Sequence, residues 1–413
     1  MLPEVLQPPY IMYSIPLFLG LIIIEMVYSY ATNKGFYRMG DTIYDLSMGT
    51  IYLVWGAFLK FLSIVGYVIA YHYFRIFTIP EDSIAWGIIA FLVYDFFYYW
   101  YHRLSHEINF FWAGHSIHHQ SEDYNLVVAL RQPGINSLFT WVFYVPMAVL
   151  GFSPWMFLAV AQLNLVYQFW VHTQAIGKLP RWYEYIFSTP SHHRVHHAIN
   201  PQYIDKNHGG VFILFDRWFS TFEEEKETPV YGTVKPVASF NPIYSNFKYY
   251  LQLMKESFKA YGLKNKIKVW IARPGWYPST ATTPEGYHPI PRVDARTFKK
   301  YDPVPVVAIT RYVIFWFAFT VILSLGFLLS EPKLTTDFKI ILAIFLTHSF
   351  LNAGGIFEWK DWAYTSEGIR LATLVAAAAY LFPNPILVLA IGILVFASYL
   401  ELNRIQKLDR KTV

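Results

Sequence analysis

The stretch Phe91–Gln120, FLVYDFFYYWYHRLSHEINFFWAGHSIHHQ, changes character at its middle. Up to Tyr101 it is apolar and aromatic, continuing a run that begins at Ser83 with Asp95 as its one charge. About 20 mostly apolar residues are what a helix needs to cross a bilayer. Past Tyr101 the same stretch delivers five histidines. His102 and His106 are four apart, which sets their imidazoles on one helix face, one turn apart. His115, His118 and His119 follow at i, i+3, i+4, a spacing that predicts all three on one side of a helix. The stretch therefore reads as a membrane span that ends in a row of imidazoles.

Working outward, the whole chain fits a membrane scaffold. Of 413 residues, 55% are hydrophobic, 20% aromatic and 15% charged. A soluble domain carries roughly 25% charged residues, so this chain has too little polar surface to face water throughout. Apolar stretches predict further spans at Ile11–Tyr30, Leu46–Phe74, Tyr312–Leu329, Ile340–Ile356, Leu371–Phe382 and Pro385–Leu400, with a hairpin across Ser137–Val171 bent at Gly151–Pro154. Lys60 sits near the middle of the second span, which predicts either a tilted, bent helix or a polar cavity lined by that lysine. Met1–Tyr10 carries no Lys or Arg, so the first apolar stretch reads as a retained span and not as a signal peptide.

Net charge is +5, and 18 of the 33 Lys and Arg residues lie between Lys178 and Lys300. The positive-inside rule assigns that region, together with Arg404, Lys407, Arg410 and Lys411 of the tail, to the cytoplasmic side. Within it, Thr228–Tyr244 and Arg273–Pro305 read as Pro/Gly/Thr-rich loops. Tyr249–Leu263 reads as an amphipathic helix, with Lys255 and Lys259, suited to the membrane surface. The expected organisation is N-terminal transmembrane helices over 1–82, a histidine-bearing core over 83–228, a cytoplasmic loop and amphipathic segment over 229–305, and C-terminal transmembrane helices with a basic tail over 306–413. The fold class is all-α: a polytopic integral membrane helical bundle with a cytoplasmic histidine-rich cap. No nucleic-acid partner is expected.

With no cysteine in the chain, disulfides, haem-thiolate chemistry, iron–sulfur clusters and Cys-type zinc sites are excluded. Eleven of the fourteen histidines fall between His102 and His208. His172 follows the hairpin, four residues after Gln168, and His193, His196 and His197 repeat the i, i+3, i+4 pattern. Together with His102, His106, His115, His118 and His119 these make nine imidazoles, more than the three or four protein ligands of one zinc site. Nine suffice for two metals. Imidazole suits iron, copper, nickel and zinc alike. The setting favours iron, because apolar spans deliver alkyl chains to the site and oxidising a C–H bond needs a redox metal. A lone His72, His288 or His348 is given no role. A haem protein is a poor alternative, because a bis-His haem takes one imidazole from each of two helices. A metal transporter would place its ligands near mid-membrane rather than at one face.

On these residues the chain resembles the fatty acid hydroxylase/sterol desaturase superfamily of membrane di-iron enzymes. Its three histidine boxes match His102/His106, His115/His118/His119 and His193/His196/His197. The shared stretches extend through His118–Asn125, Ala129–Gln132, Ser191–His197, Asn207–Gly210 and Phe215–Arg217, and are most like the superfamily's pterin-dependent, ether-lipid-cleaving branch. The resemblance implies two iron ions, dioxygen, a membrane lipid substrate, and hydroxylation of an alkyl carbon. On an ether-linked carbon the product collapses to fatty aldehyde and glycerol derivative. Sterol, carotenoid or fatty-acyl hydroxylation or desaturation is the alternative on the same scaffold.

Two departures stand out: Gln168 replaces a histidine found in some family members, leaving His192 or water for that position, and His208 stands where the family suggests Tyr. The family's haem-cytochrome domain is absent, so electrons are expected from a separate carrier or a diffusible reductant such as tetrahydrobiopterin or another reduced pterin. Among other site candidates, Glu107 is expected to orient a ligand or bind reductant. Asp95, seven residues before His102 on the same face, is expected to hydrogen-bond a ligand histidine. Asp123, Tyr124, Asn125, Arg131 and Gln132 form a polar run suited to a headgroup or reductant, or to a solvated loop. Arg194 and Asp216 are expected to share a salt bridge. The aromatic run Phe96–Tyr101 reads as an interfacial belt.

Overall fold

In the computed structural model helix α3 (Ile84–Glu107), of 24 residues, takes up the deciding stretch as far as its second histidine, and the rest of the stretch follows as shorter pieces. Ser83 caps α3, its Oγ accepting from the Trp86 amide, and the helix stops at Ile108, whose backbone is extended. The structure describes residues 10–135, 137–279, 284–303, 306–381 and 384–412; the stretch read for a signal peptide lies almost wholly outside these.

Among the described residues five helices are long and apolar enough to cross a membrane: Tyr13–Ala31, Ile84–Glu107, Val307–Lys333, Thr336–Phe357 and Pro385–Lys407. Helix α2 (Met39–Phe74) adds a sixth candidate, bent by 44° between Met39–Leu59 and Ile64–Phe74. The side chain of Lys60, at this bend, lies outside the described residues.

The predicted hairpin differs from expectation. Its first limb is broken into α5 (Ser137–Thr140) and α6 (Val145–Leu150), and its second is α7 (Pro154–Trp170), of 17 residues. Neither limb reaches the roughly 20 residues of a span. The bend falls where expected. Gly151 has φ +101°, and a Cβ there would lie 2.1 Å from the Phe77 carbonyl oxygen, so only glycine fits. Ser153 then caps α7 by accepting from the Met156 amide.

The chain forms two compact units. The first comprises Met1–Arg38, Phe58–Val237 and Asn246–Lys300. In it α3 packs on α4 (Asn109–His115) and on α7, and α7 on α1 (Tyr10–Ala31). Its core is aromatic: Tyr94 stacks on Tyr144 at 4.8 Å and Tyr67 on Phe157 at 4.3 Å. Short helices α8 (Arg181–Ile186), α9 (Pro190–His196) and α10 (Leu214–Trp218) follow. Next come α11 (Pro242–Lys259) and α12 (Gly262–Ile271), which replace the single amphipathic helix expected over Tyr249–Leu263. A two-stranded antiparallel ladder pairs Trp276 with Tyr287 and Tyr277 with Gly286.

The second unit comprises Met39–Ala57, Ala238–Ser245 and Tyr301–Val413. Short connections join α13 (Val307–Ser330), α14 (Thr336–Phe357), α15 (Asp361–Leu381) and α16 (Pro385–Thr412), and each packs on the next. Glu367 and Arg370 keep α15 out of the five apolar spans. They are fully buried and pair with each other, Arg370 Nε–Glu367 Oε2 being 2.7 Å, while Tyr312 and Asn352 also donate to Glu367.

Candidate metal centre

Five short pieces of chain deliver the histidines. The last turns of α3 carry His102 and His106, and α4 ends at His115. A 3-10 turn at His118–Gln120 presents His118 and His119, and His172 follows the end of α7. Helix α9, opened by Pro190 in its first turn, brings His193 and His196, with His197 at its C-terminal cap.

The nine imidazoles sort into two buried groups: His102, His106, His115, His119 and His196 in one, His118, His172, His193 and His197 in the other. Within each group the candidate ligand nitrogens lie within 4.8 Å of one another. The second and third boxes do not each present one face, as their spacing predicts. Adjacent His118 and His119 go to different groups, and so do adjacent His196 and His197. The cause is local: a 3-10 turn and a helix of only 7 residues aim neighbouring side chains in different directions.

Nε2 atoms meet closely in both groups. The separations are 3.0 Å for His102–His115 and 3.1 Å for His115–His119, then 3.1 Å for His118–His172 and 3.0 Å for His172–His193. A metal–nitrogen bond of about 2.1 Å puts two ligands at right angles about 3.0 Å apart. Backbone carbonyls fix the tautomers. Nδ1 donates to His208 O from His102 (2.8 Å), to Arg131 O from His118 (2.9 Å), to Gln168 O from His172 (2.8 Å) and to Lys206 O from His196 (3.0 Å). A carbonyl only accepts, so in these neutral rings Nε2 keeps its lone pair.

His118 and His172 therefore face each other lone pair to lone pair at 3.1 Å. Burial opposes relief by protonation: with the nearby Arg131 charge it pushes His118 down to about 4, and it holds His172 well below the ordinary histidine value. A cation between them removes the conflict. The Nε2 atoms of His106 and His196 are also buried without a hydrogen-bond partner. This all-nitrogen, neutral donor set fits two metal ions.

The loop after α9 holds the first group in place. It supplies the Lys206 and His208 carbonyls, and two carboxylates grip its backbone. Asp216 accepts from the amides of His208 and Gly209, both at 2.7 Å, and from the Thr221 hydroxyl. Burial raises Asp216 to about 6. Asp95 accepts from the amides of Val211 and Phe212, both at 2.9 Å, and from the Asn164 side chain. A Cβ on Gly210 would lie 2.6 Å from Asp95 Oδ1, which explains the glycine.

Several expected roles change accordingly. Asp95 bonds the loop instead of a ligand histidine, because seven helical residues place it about 10 Å along α3 from His102. Glu107 is engaged by Arg103 at 3.1 Å and Arg273 at 3.2 Å rather than by an imidazole. Arg194 pairs with Glu225 and not with Asp216, and its Nη1 donates to the Thr173 and Ile176 carbonyls. His192 belongs to neither group, and its ring lies 5.5 Å from that of Phe222. Gln168 hydrogen-bonds Tyr98 and Asn164 through its side chain and reaches His172 through its carbonyl.

The polar run past the second box is buried instead of solvated, apart from the half-buried Gln132. Asp123 meets Arg38 (2.9 Å) and Lys300 (2.6 Å), and Asn125 donates to Phe36 O. Tyr124 donates to Val171 O, and its ring walls the second group, 5.3 Å from His197. Arg131 turns beneath the second box and donates to Ile117 O and Gln120 Oε1, while Gln132 donates to Ala129 O. No side chain of the aromatic run on α3 is exposed: Tyr99 is buried and the others are half-buried, and Tyr98 and Tyr99 hydrogen-bond Gln168 and Thr221. His208 is the residue sequence reasoning left without a role. It is buried with its ring 5.1 Å from His106 and 5.6 Å from His196, and neither ring nitrogen completes a hydrogen bond.

Membrane-length helices, one of which brings the first two histidines to a pair of buried imidazole groups that could each hold an ion, are the make-up of a membrane metalloprotein. The fatty acid hydroxylase family model matches residues 87–221, the segment that contains both groups. Alkylglycerol monooxygenase of Danio rerio is 33% identical over 381 residues, 92% of this chain and 84% of that protein. The Xenopus tropicalis protein of the same name is 35% identical over 88% of this chain and 80% of its own length, and the Homo sapiens protein 40% identical over 66% and 61%. No solved structure matches. The chain belongs to the alkylglycerol monooxygenase family within the fatty acid hydroxylases, and it is an oxygenase of the membrane.

Proposed function

We propose that this protein is a di-iron monooxygenase that hydroxylates the ether-linked carbon of an alkylglycerol, so that the product collapses to fatty aldehyde and glycerol derivative. The observation that carries the reading is the pair of neutral imidazole groups, with lone pairs held face to face by carbonyl-bound Nδ1 atoms. One iron would be held by His102, His106, His115, His119 and His196, the other by His118, His172, His193 and His197. Bound iron would supply dioxygen activation, the chemistry that an unactivated C–H bond demands.

The chain's own part is to place and protect. The Lys206, His208, Arg131 and Gln168 carbonyls orient four ligand rings, so the site is organised before substrate arrives. Trp112, 4.9 Å from His106, and Tyr124 on the other group help keep water out. One oxygen atom of dioxygen enters the C–H bond. The other leaves as water, with two electrons and two protons drawn from a reduced pterin. The lysine- and arginine-rich stretch between Lys178 and Lys300 supports a cytoplasmic position for the site, where such a reductant reaches it.

The test is to incubate purified, iron-loaded protein with an alkylglycerol, dioxygen and reduced tetrahydropterin, and to measure fatty aldehyde beside a His118→Ala control. Aldehyde from the intact protein alone is expected. Absence of aldehyde from protein carrying its full iron would remove the ether-lipid assignment and direct the search to sterols and acyl lipids.

A further inference from the structure

The corner formed by α11 and α12 carries a surface that neither the metal groups nor the spans use. Its inner face is accounted for: Leu253, Ala260 and Val269 bury against Ala113 and Trp276. Its outer face is apolar where a water-facing helix would be polar. Phe258 is 75% exposed, Tyr261 83%, Leu263 73%, Ile271 61% and Ile267 52%. Five large apolar side chains within 14 residues of chain form a patch that calls for a non-aqueous neighbour.

Lysines interleave with that patch. Lys255, Lys259, Lys264 and Lys266 are all exposed, and among the described residues none of the four pairs with a carboxylate. From Pro242 to Ile271 the sequence holds six lysines against one acidic residue, Glu256. Lys268 is drawn off to Glu285, and Lys248 to the carbonyls of Pro236 and Val237. The four free cations therefore sit on the same corner as the exposed apolar side chains.

The height of the corner is set by α3. Asn109, two residues past the end of that span, ties α12 down: its amide donates to Ala272 O at 2.9 Å and its side chain to Val269 O at 2.8 Å. Tyr249 of α11 donates to Asn109 Oδ1, and Arg273 pairs with Glu107. A segment pinned to the polar end of a membrane span lies at the bilayer boundary. There apolar side chains enter the acyl region while lysines meet headgroups.

We propose that the α11–α12 corner is an anionic-phospholipid binding surface, in which Phe258, Tyr261, Leu263 and Ile267 insert into the leaflet and Lys255, Lys259, Lys264 and Lys266 hold acidic headgroups. The favoured partner is lipid over protein because the patch is apolar, basic and fixed at the span's end. The proposal rests on the span alone and stands or falls independently of the oxygenase reaction.

The chain has no cysteine, so one introduced cysteine is labelled uniquely. A nitroxide on Leu263→Cys, in the full-length protein in nanodiscs, reports depth through collisions with dioxygen, which enters lipid, and with a nickel chelate, which does not. In nanodiscs of phosphatidylcholine with a third phosphatidylglycerol, several-fold preference for dioxygen over nickel is expected. That preference should fall in pure phosphatidylcholine, and also in the mixed lipid when all four lysines become glutamine. Among the described residues these lysine side chains make no hydrogen bond or ion pair, so the variant is expected to keep its fold, checked by its helical circular dichroism. A label open to nickel in every lipid overturns the proposal. So does one that is equally deep whatever the headgroup and lysine content. A label shielded from both reagents alike would instead mark a protein contact and overturn it too.

Discussion

Asp95 and His118 show how differently two buried groups can serve one site. His118 presents a lone pair to His172 because its Nδ1 proton goes to the Arg131 carbonyl. Asp95 touches no imidazole and acts through the backbone it holds, with both oxygens on consecutive amides of the loop that orients His102. Asp95→Asn keeps the shape but offers one accepting oxygen where two are needed, leaving a buried N–H without a partner. The expected result is a loss of about 1–3 kcal/mol in thermal or denaturant unfolding, with iron retention and activity falling together. Unchanged stability with abolished activity would instead return Asp95 to a direct chemical role. Sequence spacing made the nine clustered histidines legible, since tight repeats of histidine place many imidazoles together. It could not show that adjacent histidines divide between two groups, because that depends on a 3-10 turn and on carbonyls far along the chain.

At the scale of elements, apolar length read α1, α3, α13 and α14 correctly, because a span's composition is dictated by lipid regardless of what packs beside it. The hairpin before α7 was less legible. Trp141 to Tyr144 is as apolar as a span yet winds as a 3-10 turn within a broken limb. Helix α15 carries a buried polar network of its own. Arg370 lies over the Trp316 ring at 4.4 Å and forks onto Glu367, which also receives Tyr312 and Asn352. Breaking a buried pair leaves a bare charge among apolar helices, so Glu367→Gln should destabilise by about 3–5 kcal/mol. The double replacement Glu367→Leu with Arg370→Leu should cost less than Glu367→Gln alone, because no charge is then left behind. Melting curves in detergent for the two proteins decide this. Equal or greater loss in the double variant would mean that the network is needed for more than neutralising its own charges.

For the molecule as a whole, composition foretold a membrane protein, the histidine boxes pointed to the family, and the comparisons bear that family out. We propose the sidedness from charge: the basic stretch ending at Lys300 and the Lys333 turn are separated in sequence by α13, one candidate span. In intact cells an impermeant maleimide should label Lys333→Cys at once and Lys226→Cys only after permeabilisation. Both side chains are exposed and the chain has no cysteine of its own. The reverse order would invert the topology and place the metal groups outside.

The central claim is that two imidazole groups each hold an iron ion, and metal content tests it most directly. Iron measured per chain on protein purified from iron-supplemented cells should approach two. In His118→Ala it should fall toward one, because the first group of five histidines is left whole. A single metal per chain in the unaltered protein, or loss of all iron together with loss of the helical fold in His118→Ala, would contradict two separately built sites.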